Sequence, residues 1–160
     1  RLFSSLYGVE TVSLRYFNVY GPRQLLTGAY ATVVGIFLKQ MRSGQPLTIV
    51  GDGKIQRDFT HVSDVVRANI LASKSNKVGK GEVINIGTGS NYSINEVASM
   101  ILNIGDKKVM TLVSALKDNK AVYIPPRLGE TRRTLADNSK ANKLLGWKPT
   151  VSLEEGLKNL

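Results

Sequence analysis

The chain has 160 residues, of which 42% are hydrophobic and 21% charged, so it can bury a core and wholesale disorder is not expected. It contains no cysteine and one histidine. This composition excludes disulfides and thiolate metal sites, and it argues against a His-rich metal site or a Ser-His triad. No apolar run approaches the roughly 18 residues of a membrane span, and no signal sequence is visible, so we expect a cytoplasmic protein without a membrane partner.

The formal net charge of +10 raises the question of nucleic-acid binding. The basic residues are spread along the chain, and their densest runs are the pairs Lys107-Lys108 and Arg132-Arg133. No basic stripe alternates with aromatic residues, and many lysines fall near turn signals, where they serve solubility. We therefore do not expect nucleic acid as a partner, and an RNA-binding surface is kept only as an alternative.

The first half of the chain predicts alternating helices and strands. The spacing of apolar residues and the Gly and Pro breaks define them. In chain order they are the end of a helix over 2–7 closed by Gly8, a strand over 11–17, a loop from Gly21-Pro22 to Gly28, a helix over 29–42, and a hairpin whose strands 47–50 and 55–60 flank a glycine turn.

The second half continues this alternation, which predicts an α/β fold. Capping residues and glycines mark most of the boundaries. The predicted elements are a helix over 63–75 with Ser63 and Asp64 as possible caps, a strand over 82–86, a helix from the capping box Ser93–Glu96 to Asn103, a strand, turn and strand over 108–124, a helix from Asp137 to Gly146, and a final helix from the capping box Ser152–Glu155.

Three groups of residues could carry chemistry. At the end of the first strand, Tyr16 and Asn18 precede a Gly-Pro break, and ligands of open α/β folds bind at such strand ends. The residues alone favour ordinary sheet positions and a turn cap at this point. In the second group, Arg57 beside the glycine turn could hold a phosphate through two hydrogen bonds, or could pair with a surface carboxylate. His61 is expected to be structural.

The third group follows a proline pair and contains three arginines and a carboxylate, Arg127, Glu130, Arg132 and Arg133. These side chains could meet a diphosphate and a sugar or ribose hydroxyl, although loop arginines are more often solvated. The glycine turn at 51–54 has neither a Gly-Lys-Ser/Thr element nor a GxGxxG pattern, so it does not indicate a phosphate loop.

Five motifs in order resemble the NAD-dependent nucleotide-sugar epimerase/dehydratase family, which belongs to the extended short-chain dehydrogenases/reductases. The motifs are RYFNVYGPRQ, GAYATVV, LTIVGDGKIQRDFTHVSDVV, NIGTG and RLGETRRTLADNSKANKLLGWKP. They cover essentially the whole chain and are similar to the carboxyl-terminal half of such enzymes. Phe17-Asn18 and the GAYA segment resemble the UDP-hexose 4-epimerases more than the dehydratases or decarboxylases.

The resemblance implies roles for individual residues. Tyr16 and the backbone of Val19 would lie near the nicotinamide of NAD. Thr134 falls where galactose epimerases often carry a bulky tyrosine, which predicts room for an N-acetylhexosamine. The implied residues of the UDP-sugar site are Phe17 and Asn18 at the sugar, Thr32 and Val33 at the diphosphate and nucleoside, Thr48 and Val50 at the uracil, Arg57 and Arg127 at the diphosphate, Glu130 at the ribose, and Thr134 at the sugar wall.

The chain departs from the family in two large respects. It contains neither the glycine-rich dinucleotide loop nor the Tyr-x-x-x-Lys pair, in which the tyrosine takes the sugar hydroxyl proton while hydride leaves the same carbon. We therefore expect a fragment cut inside a helix, inactive alone and unable to bind NAD by itself. A dehydratase, a decarboxylase and a non-enzymatic binding module remain alternatives.

The resemblance also predicts how the chain is divided. Residues 1–28 and 62–92 would contribute the last strands of a Rossmann-like parallel sheet whose amino-terminal half is missing. Residues 29–61 and 93–160 would form a small substrate-binding domain. Because the sheet strands would lack neighbours, we expect a homo-oligomer or a domain-swapped assembly.

Overall fold

The computed structural model describes residues 1–28, 30–104 and 110–160. Helices and strands alternate along the chain, and three of the four strand pairs are parallel. This confirms the α/β class. The elements are α1 Leu2–Tyr7, β1 Thr11–Tyr16, β2 Val19–Tyr20, α2 Val33–Arg42, β3 Leu47–Val50, β4 Gln56–Arg57, β5 Thr60–His61, α3 Val62–Lys74, β6 Lys80–Ile86, β7 Tyr92–Ser93, α4 Ile94–Leu102, α5 Leu112–Lys117, β8 Ala121–Ile124, α6 Ser139–Leu145 and α7 Leu153–Lys158.

The helix ends follow local capping chemistry. α1 ends at Gly8, whose left-handed backbone (φ 67°) is the predicted cap. α2 begins after Thr32, whose side chain accepts a hydrogen bond from the amide of Gly35. The predicted start at residue 29 lies outside the described residues. The capping box of Ser93 and Glu96 is confirmed at α4.

The caps of the remaining helices partly differ from the prediction. The ring of His61, not Ser63 or Asp64, caps α3 by accepting from the amide of Ser63, so the structural role expected for His61 is confirmed. The Asp137 carboxylate accepts from the Ser139 amide at the start of α6, and Ser152 caps α7. α6 ends at the predicted Gly146, which is left-handed.

The predicted hairpin over residues 47–60 is wrong. β3 pairs in parallel with β8, β4 pairs antiparallel with β7, and the second predicted strand is split into β4 and β5. The turn between β3 and β4 is held by other parts of the chain: the Gly51 amide donates to the Ile124 carbonyl, and Asn95 donates to the carbonyls of Gly53 and Asp52. These contacts direct the chain away from β3 instead of folding it back.

The strand, turn and strand predicted over 108–124 are also wrong in their first part. The described residues form the helix α5, which begins after Thr111 because that side chain accepts from the Ser114 amide at 3.2 Å. Only the last predicted strand is present, as β8. Residues 108 and 109 lie outside the described residues.

Two apolar clusters form the interior. In the sheet core, α3 and α6 pack against the parallel pair β1–β6, and Trp147 is fully buried there. In the cavity core, α2, α4, α5 and α7 pack around β3 and β8, with Tyr20 and Phe59 between them. The expected division remains a prediction, and α6 lies in the sheet core although residues 93–160 were assigned to the other part.

Large apolar side chains remain exposed on the elements of the sheet core. All residues of α1 are at least partly exposed, and Phe3 and Tyr7 are 62% and 70% exposed. Val66 and Ile70 on α3 are about half exposed. None of the helices in the described part of the chain is long and apolar enough to cross a bilayer.

Candidate functional site

A cavity of about 230 Å³ opens beside β3, at the start of α2 and next to β4. It brings together residues from distant parts of the chain, and it contains all but two of the predicted UDP-sugar residues. The lining consists of Asn18, Ala31, Thr32, Val33, Ile36, Phe37, Thr48, Val50, Ile55, Arg57, Phe59, Ile94, Ile124, Arg127 and Glu130. Apolar walls with few polar groups are typical of small-molecule sites.

The start of α2 forms one wall. Thr32 caps the helix and also donates from its hydroxyl to the side-chain oxygen of Gln24 at 3.3 Å. Gly35 lies in the first turn, where a Cβ atom would run into the Leu25 carbonyl oxygen. A glycine at this position therefore lets the preceding loop pack against the helix and keeps Thr32 and Val33 at the cavity.

The open edge of β3 forms a second wall. The amides of Leu47 and Gly51 donate toward β8, so in a parallel ladder the backbone groups of Thr48 and Val50 point the other way. The Gln40 side chain confirms this direction for Thr48, because its oxygen accepts from the Thr48 amide at 3.1 Å. The Thr48 carbonyl and the Val50 amide consequently form an acceptor and a donor side by side on the cavity edge of the strand.

Arg57 is held in place on β4. Its Nη1 donates to the carbonyls of Gln56 and Thr131 at 2.9 and 2.6 Å, and its Nη2 donates to Glu130 Oε1 at 3.3 Å. The side chain is only 15% exposed. A guanidinium has five N–H donors, and these three bonds leave two for a bound group. The predicted alternative of pairing with a carboxylate is therefore present, and the two remaining donors still allow an anion to bind.

The two carboxylate oxygens of Glu130 differ in their hydrogen bonding. Oε1 accepts from Arg57, whereas Oε2 is buried and has no hydrogen-bond partner among the described residues. A buried carboxylate oxygen without a donor is uncommon in a folded protein and calls for a partner from outside the chain. Arg127 also lines the cavity, from the exposed loop after the proline pair. This wall thus carries two arginines and an oxygen that can accept from a hydroxyl.

Asn18 reaches the cavity from the end of β1. Its backbone is left-handed (φ 31°), which asparagine tolerates better than most residues. Its Nδ2 donates to the Asp58 carbonyl at 2.7 Å. The chain bends at this residue, and its side chain bonds to a distant segment instead of capping a turn while it lines the cavity.

The other four predicted residues lie outside this lining. Phe17 is half-buried beside Gly87, and Thr134 pairs with the Gln56 backbone, with its hydroxyl buried and unpartnered among the described residues. Tyr16 is about half exposed and donates to Asn69 Oδ1 at 3.0 Å. Val19 lies in β2, opposite Thr60.

Sequence reasoning missed the part played by Asp58. Its carboxylate is fully buried and accepts from the amides of Thr88, Gly89 and Ala136 and from the Thr88 hydroxyl. The available signal was the alternation of Arg57 and Asp58, which sends the two side chains to opposite faces. It also missed the apolar walls, such as Ile55 and Ile124, and the clamp made by Gln40.

The described residues contain no cluster of three His, Cys, Asp or Glu side chains that could hold a metal ion. The ring of Tyr16, at the end of β1, is about half exposed. The sequence has no glycine-rich loop of the kind that binds a dinucleotide phosphate.

A cavity lined by two arginines and by a carboxylate oxygen without a donor among the described residues is typical of sites for anionic small molecules. The comparisons with known proteins are more specific. The family described as GDP-mannose 4,6 dehydratase matches residues 1–160. The chain therefore belongs to the NAD-dependent nucleotide-sugar epimerase/dehydratase family.

Individual relatives agree with this assignment. The UDP-glucose 4-epimerase of Thermotoga maritima, solved with UDP-glucose, is 44% identical with a TM-score of 0.84 and is matched over 99% of this chain and 47% of its own. The UDP-glucuronic acid 4-epimerase of Bacillus cereus, solved with UDP-glucuronic acid and NAD, is 38% identical with a TM-score of 0.81. The match covers 99% of this chain and 46% of that enzyme. The UDP-N-acetyl-alpha-D-glucosaminuronate decarboxylase of Bacillus cytotoxicus is 38% identical over 96% of this chain and 46% of its own length. The chain thus spans about half the length of each relative.

Proposed function

We propose that this chain is the substrate-binding part of an NAD-dependent UDP-sugar 4-epimerase. The observation that carries the proposal is the cavity lined by Arg57, Arg127 and the edge of β3 together with Glu130, whose buried Oε2 has no partner among the described residues. The two arginines would bind the diphosphate, and the carboxylate oxygen would accept from a ribose hydroxyl. The relatives solved with UDP-glucose and UDP-glucuronic acid support the same ligand class.

The β3 edge adds a reason for uracil. Uracil carries one ring N–H between two carbonyl groups, so it presents a donor next to an acceptor. The Thr48 carbonyl and the Val50 amide present the complementary acceptor and donor. Thr32 and Val33 would lie beside the diphosphate and nucleoside, and Asn18 with Phe17 beside the sugar.

The parent enzyme would oxidise C4 of the sugar to a ketone, rotate the intermediate and return hydride to the opposite face. NAD would receive and return that hydride. The residues toward NAD in this chain would be Tyr16 and Val19, at the end of β1. Because the chain has neither the Tyr-x-x-x-Lys pair nor the dinucleotide loop, we propose that it is inactive alone and that the other half supplies both.

The exposed apolar side chains support a missing neighbour. About half of those in the described part of the chain lie on α1, α3 and the β1–β6 pair, the elements proposed to complete a Rossmann-like sheet. Residues 1–28 and 62–92 would belong to that sheet, and residues 29–61 and 93–160 would form the substrate domain. Without the other half these surfaces favour a homo-oligomer or a swapped assembly. We place the enzyme in the cytoplasm.

Isothermal titration calorimetry tests the binding proposal. The protein should bind UDP, and Arg57→Ala or Arg127→Ala should each weaken UDP binding about 100-fold, as expected when one partner of a desolvated charge pair is removed. Uridine, which lacks the diphosphate, should be much less affected. RNA binding that falls with salt and ignores both substitutions would instead support the alternative of a nucleic-acid surface.

The reaction itself requires the full-length enzyme. Nuclear magnetic resonance of the products from UDP-glucose distinguishes a 4-epimer from a dehydrated or decarboxylated sugar. A decarboxylase remains the second candidate because one relative with that name is 38% identical. Dehydration or decarboxylation without epimerisation would overturn the epimerase proposal and leave the UDP-sugar site intact.

Thr134 is proposed to leave room for an N-acetyl group at the sugar wall. Replacing it with tyrosine should lower kcat/KM for UDP-N-acetylglucosamine at least about tenfold, the lower end of the effect of a single methylene group in a pocket, and leave UDP-glucose within about twofold. Thr134→Ser is the matched control, since it keeps the hydroxyl and adds no volume. Equal turnover of the acetylated sugar by the tyrosine variant would contradict this role.

A further inference from the structure

The fully buried carboxylate of Asp58 lies directly after Arg57 and connects three segments of the chain. Oδ1 accepts from the Thr88 amide at 2.9 Å and from the Thr88 hydroxyl at 2.6 Å. Oδ2 accepts from the amides of Gly89 at 2.9 Å and Ala136 at 3.1 Å. Four donors satisfy this buried charge, which is the condition for burying it at all.

One of these bonds reaches the segment that orients Arg57. Residues 131–136 run beside β4, where the Gln56 amide donates to the Arg132 carbonyl and the Gln56 carbonyl accepts from the Thr134 amide. The Ala136 amide on Asp58 holds the far end of the same segment. Its near end carries the Thr131 carbonyl that accepts from Arg57, and Glu130 directly precedes it.

The backbone of Asp58 serves the opposite wall. Its carbonyl accepts from Asn18 Nδ2 at 2.7 Å, and this bond holds a left-handed residue at the cavity. The other anchor is the end of β6, where Gly87 packs so closely that a Cβ atom would lie 3.1 Å from Asp58 Oδ2 and would collide with Ala136. Asp58 therefore joins the sheet core to both polar walls of the cavity.

We infer that Asp58 is a positioning residue of the UDP-sugar site. By holding residues 131–136 and Asn18 on the end of β6, it keeps Arg57 in the orientation that leaves two donors for a diphosphate. Asp58 is not itself one of the residues that line the cavity. This inference rests on the proposed function for the identity of the ligand, and on the geometry alone for the orientation of Arg57.

The test compares Asp58→Asn with Asp64→Asn. Asp64 is a matched control because it is equally buried, also accepts hydrogen bonds from four donors, and does not line the cavity. At a temperature at which both variants are fully folded, Asp58→Asn should weaken UDP binding at least about tenfold, and Asp64→Asn should leave it within about twofold. In an Arg57→Ala background, Asp58→Asn should add almost nothing.

A readout without ligand separates this inference from the proposed function. The Arg57 side-chain N–H signal in a ¹⁵N spectrum should shift and exchange faster in Asp58→Asn but not in Asp64→Asn. If that signal is unmoved, the inference is wrong whether or not UDP binds. If it moves while UDP fails to bind the unaltered protein, the proposed ligand is wrong and the positioning stands.

A milder variant covers the case in which Asp58→Asn does not fold. Thr88→Val removes the hydroxyl bond to Asp58 together with the contacts of that hydroxyl with the Ser90 backbone, and it keeps the other three donors to Asp58. It should shift the Arg57 signal in the same direction and weaken UDP binding about threefold, a fraction of the larger loss. A folded Thr88→Val protein with unchanged Arg57 signal and unchanged UDP affinity would overturn the inference.

Discussion

Two arginine–carboxylate pairs show how an ion pair in the sheet core differs from one at the cavity. In the sheet core, Arg67 Nη2 donates to Asp64 Oδ1 at 2.5 Å, and Asp64 also accepts from both the amide and the hydroxyl of Thr150 and from the Val151 amide. At the cavity, Arg57 donates to Glu130 at 3.3 Å, and the second carboxylate oxygen has no donor among the described residues.

The two pairs differ in how many hydrogen-bonding groups remain without a partner among the described residues. The carboxylate of Asp64 is fully occupied, and its backbone carbonyl also accepts from the buried indole of Trp147 at 2.9 Å, so it fastens the carboxyl-terminal segment to α3. The pair of Arg57 and Glu130 keeps two donors and one acceptor oxygen for a ligand. A complete set of partners indicates a structural role, and an incomplete set inside a cavity indicates a binding role.

The largest expected difference between the pairs is in stability. Asp64→Asn places an amide where four donors bond to a carboxylate, so it should lower the free energy of unfolding by about 2–4 kcal/mol. Glu130→Gln should change it by less than about 1 kcal/mol, because the side chain is 28% exposed and only one of its carboxylate oxygens is bonded among the described residues. Urea unfolding followed by circular dichroism measures both. Equal losses of unfolding free energy would show that the two pairs contribute equally to stability.

The next difference is in ligand binding. Glu130→Gln keeps the size of the side chain but removes its charge, so UDP and uridine should both bind about tenfold more weakly, through the lost bond to ribose. Asp64→Asn should leave both affinities unchanged. Calorimetry with the two ligands decides the matter: a variant that loses UDP but keeps uridine would place Glu130 near the diphosphate instead of the ribose.

The smallest difference is in the pH dependence of stability. Burial alone would raise the pKa of Asp64, but the hydrogen bonds from Thr150, Arg67 and Val151 outweigh it and hold that pKa below its usual value. The stabilisation from this group is therefore complete above the unfolded pKa of about 3.9 and is lost as the pH falls through the lower folded pKa. The free energy of unfolding should therefore fall more steeply with decreasing pH below about pH 4. An equally steep dependence in Asp64→Asn would assign the effect to other carboxylates.

Local signals in the sequence predicted much of the fold. Gly8 and Gly146 end their helices, Ser93 with Glu96 begins α4, and the apolar spacing marks α2 and α3. These features depend on residues within one turn of one another. The hairpin at 47–60 was predicted wrongly because strand partners are chosen by contacts with distant segments. The strand before β8 was wrong because the local cap at Thr111, which begins α5, was overlooked.

The candidate site was predictable only through the family resemblance. From the residues alone, Asn18 was expected to cap a turn and Arg57 to pair with a surface carboxylate. The structure pairs Arg57 with Glu130, but it bonds Asn18 to the distant carbonyl of Asp58. What could not be inferred was that Glu130 keeps one oxygen without a donor, or that Asp58 holds three segments together. Those facts depend on side chains 30 to 78 residues apart.

The sequence by itself determined the α/β class, most helix boundaries and the family, because capping, periodicity and motif order are local and additive. Only the tertiary structure decided which strands pair, which edge of β3 faces the cavity and which carboxylate has hydrogen-bond donors for both of its oxygens. Those outcomes depend on hydrogen-bond partners that meet only when the two cores are packed, since a buried polar group takes whichever partner the fold brings within reach.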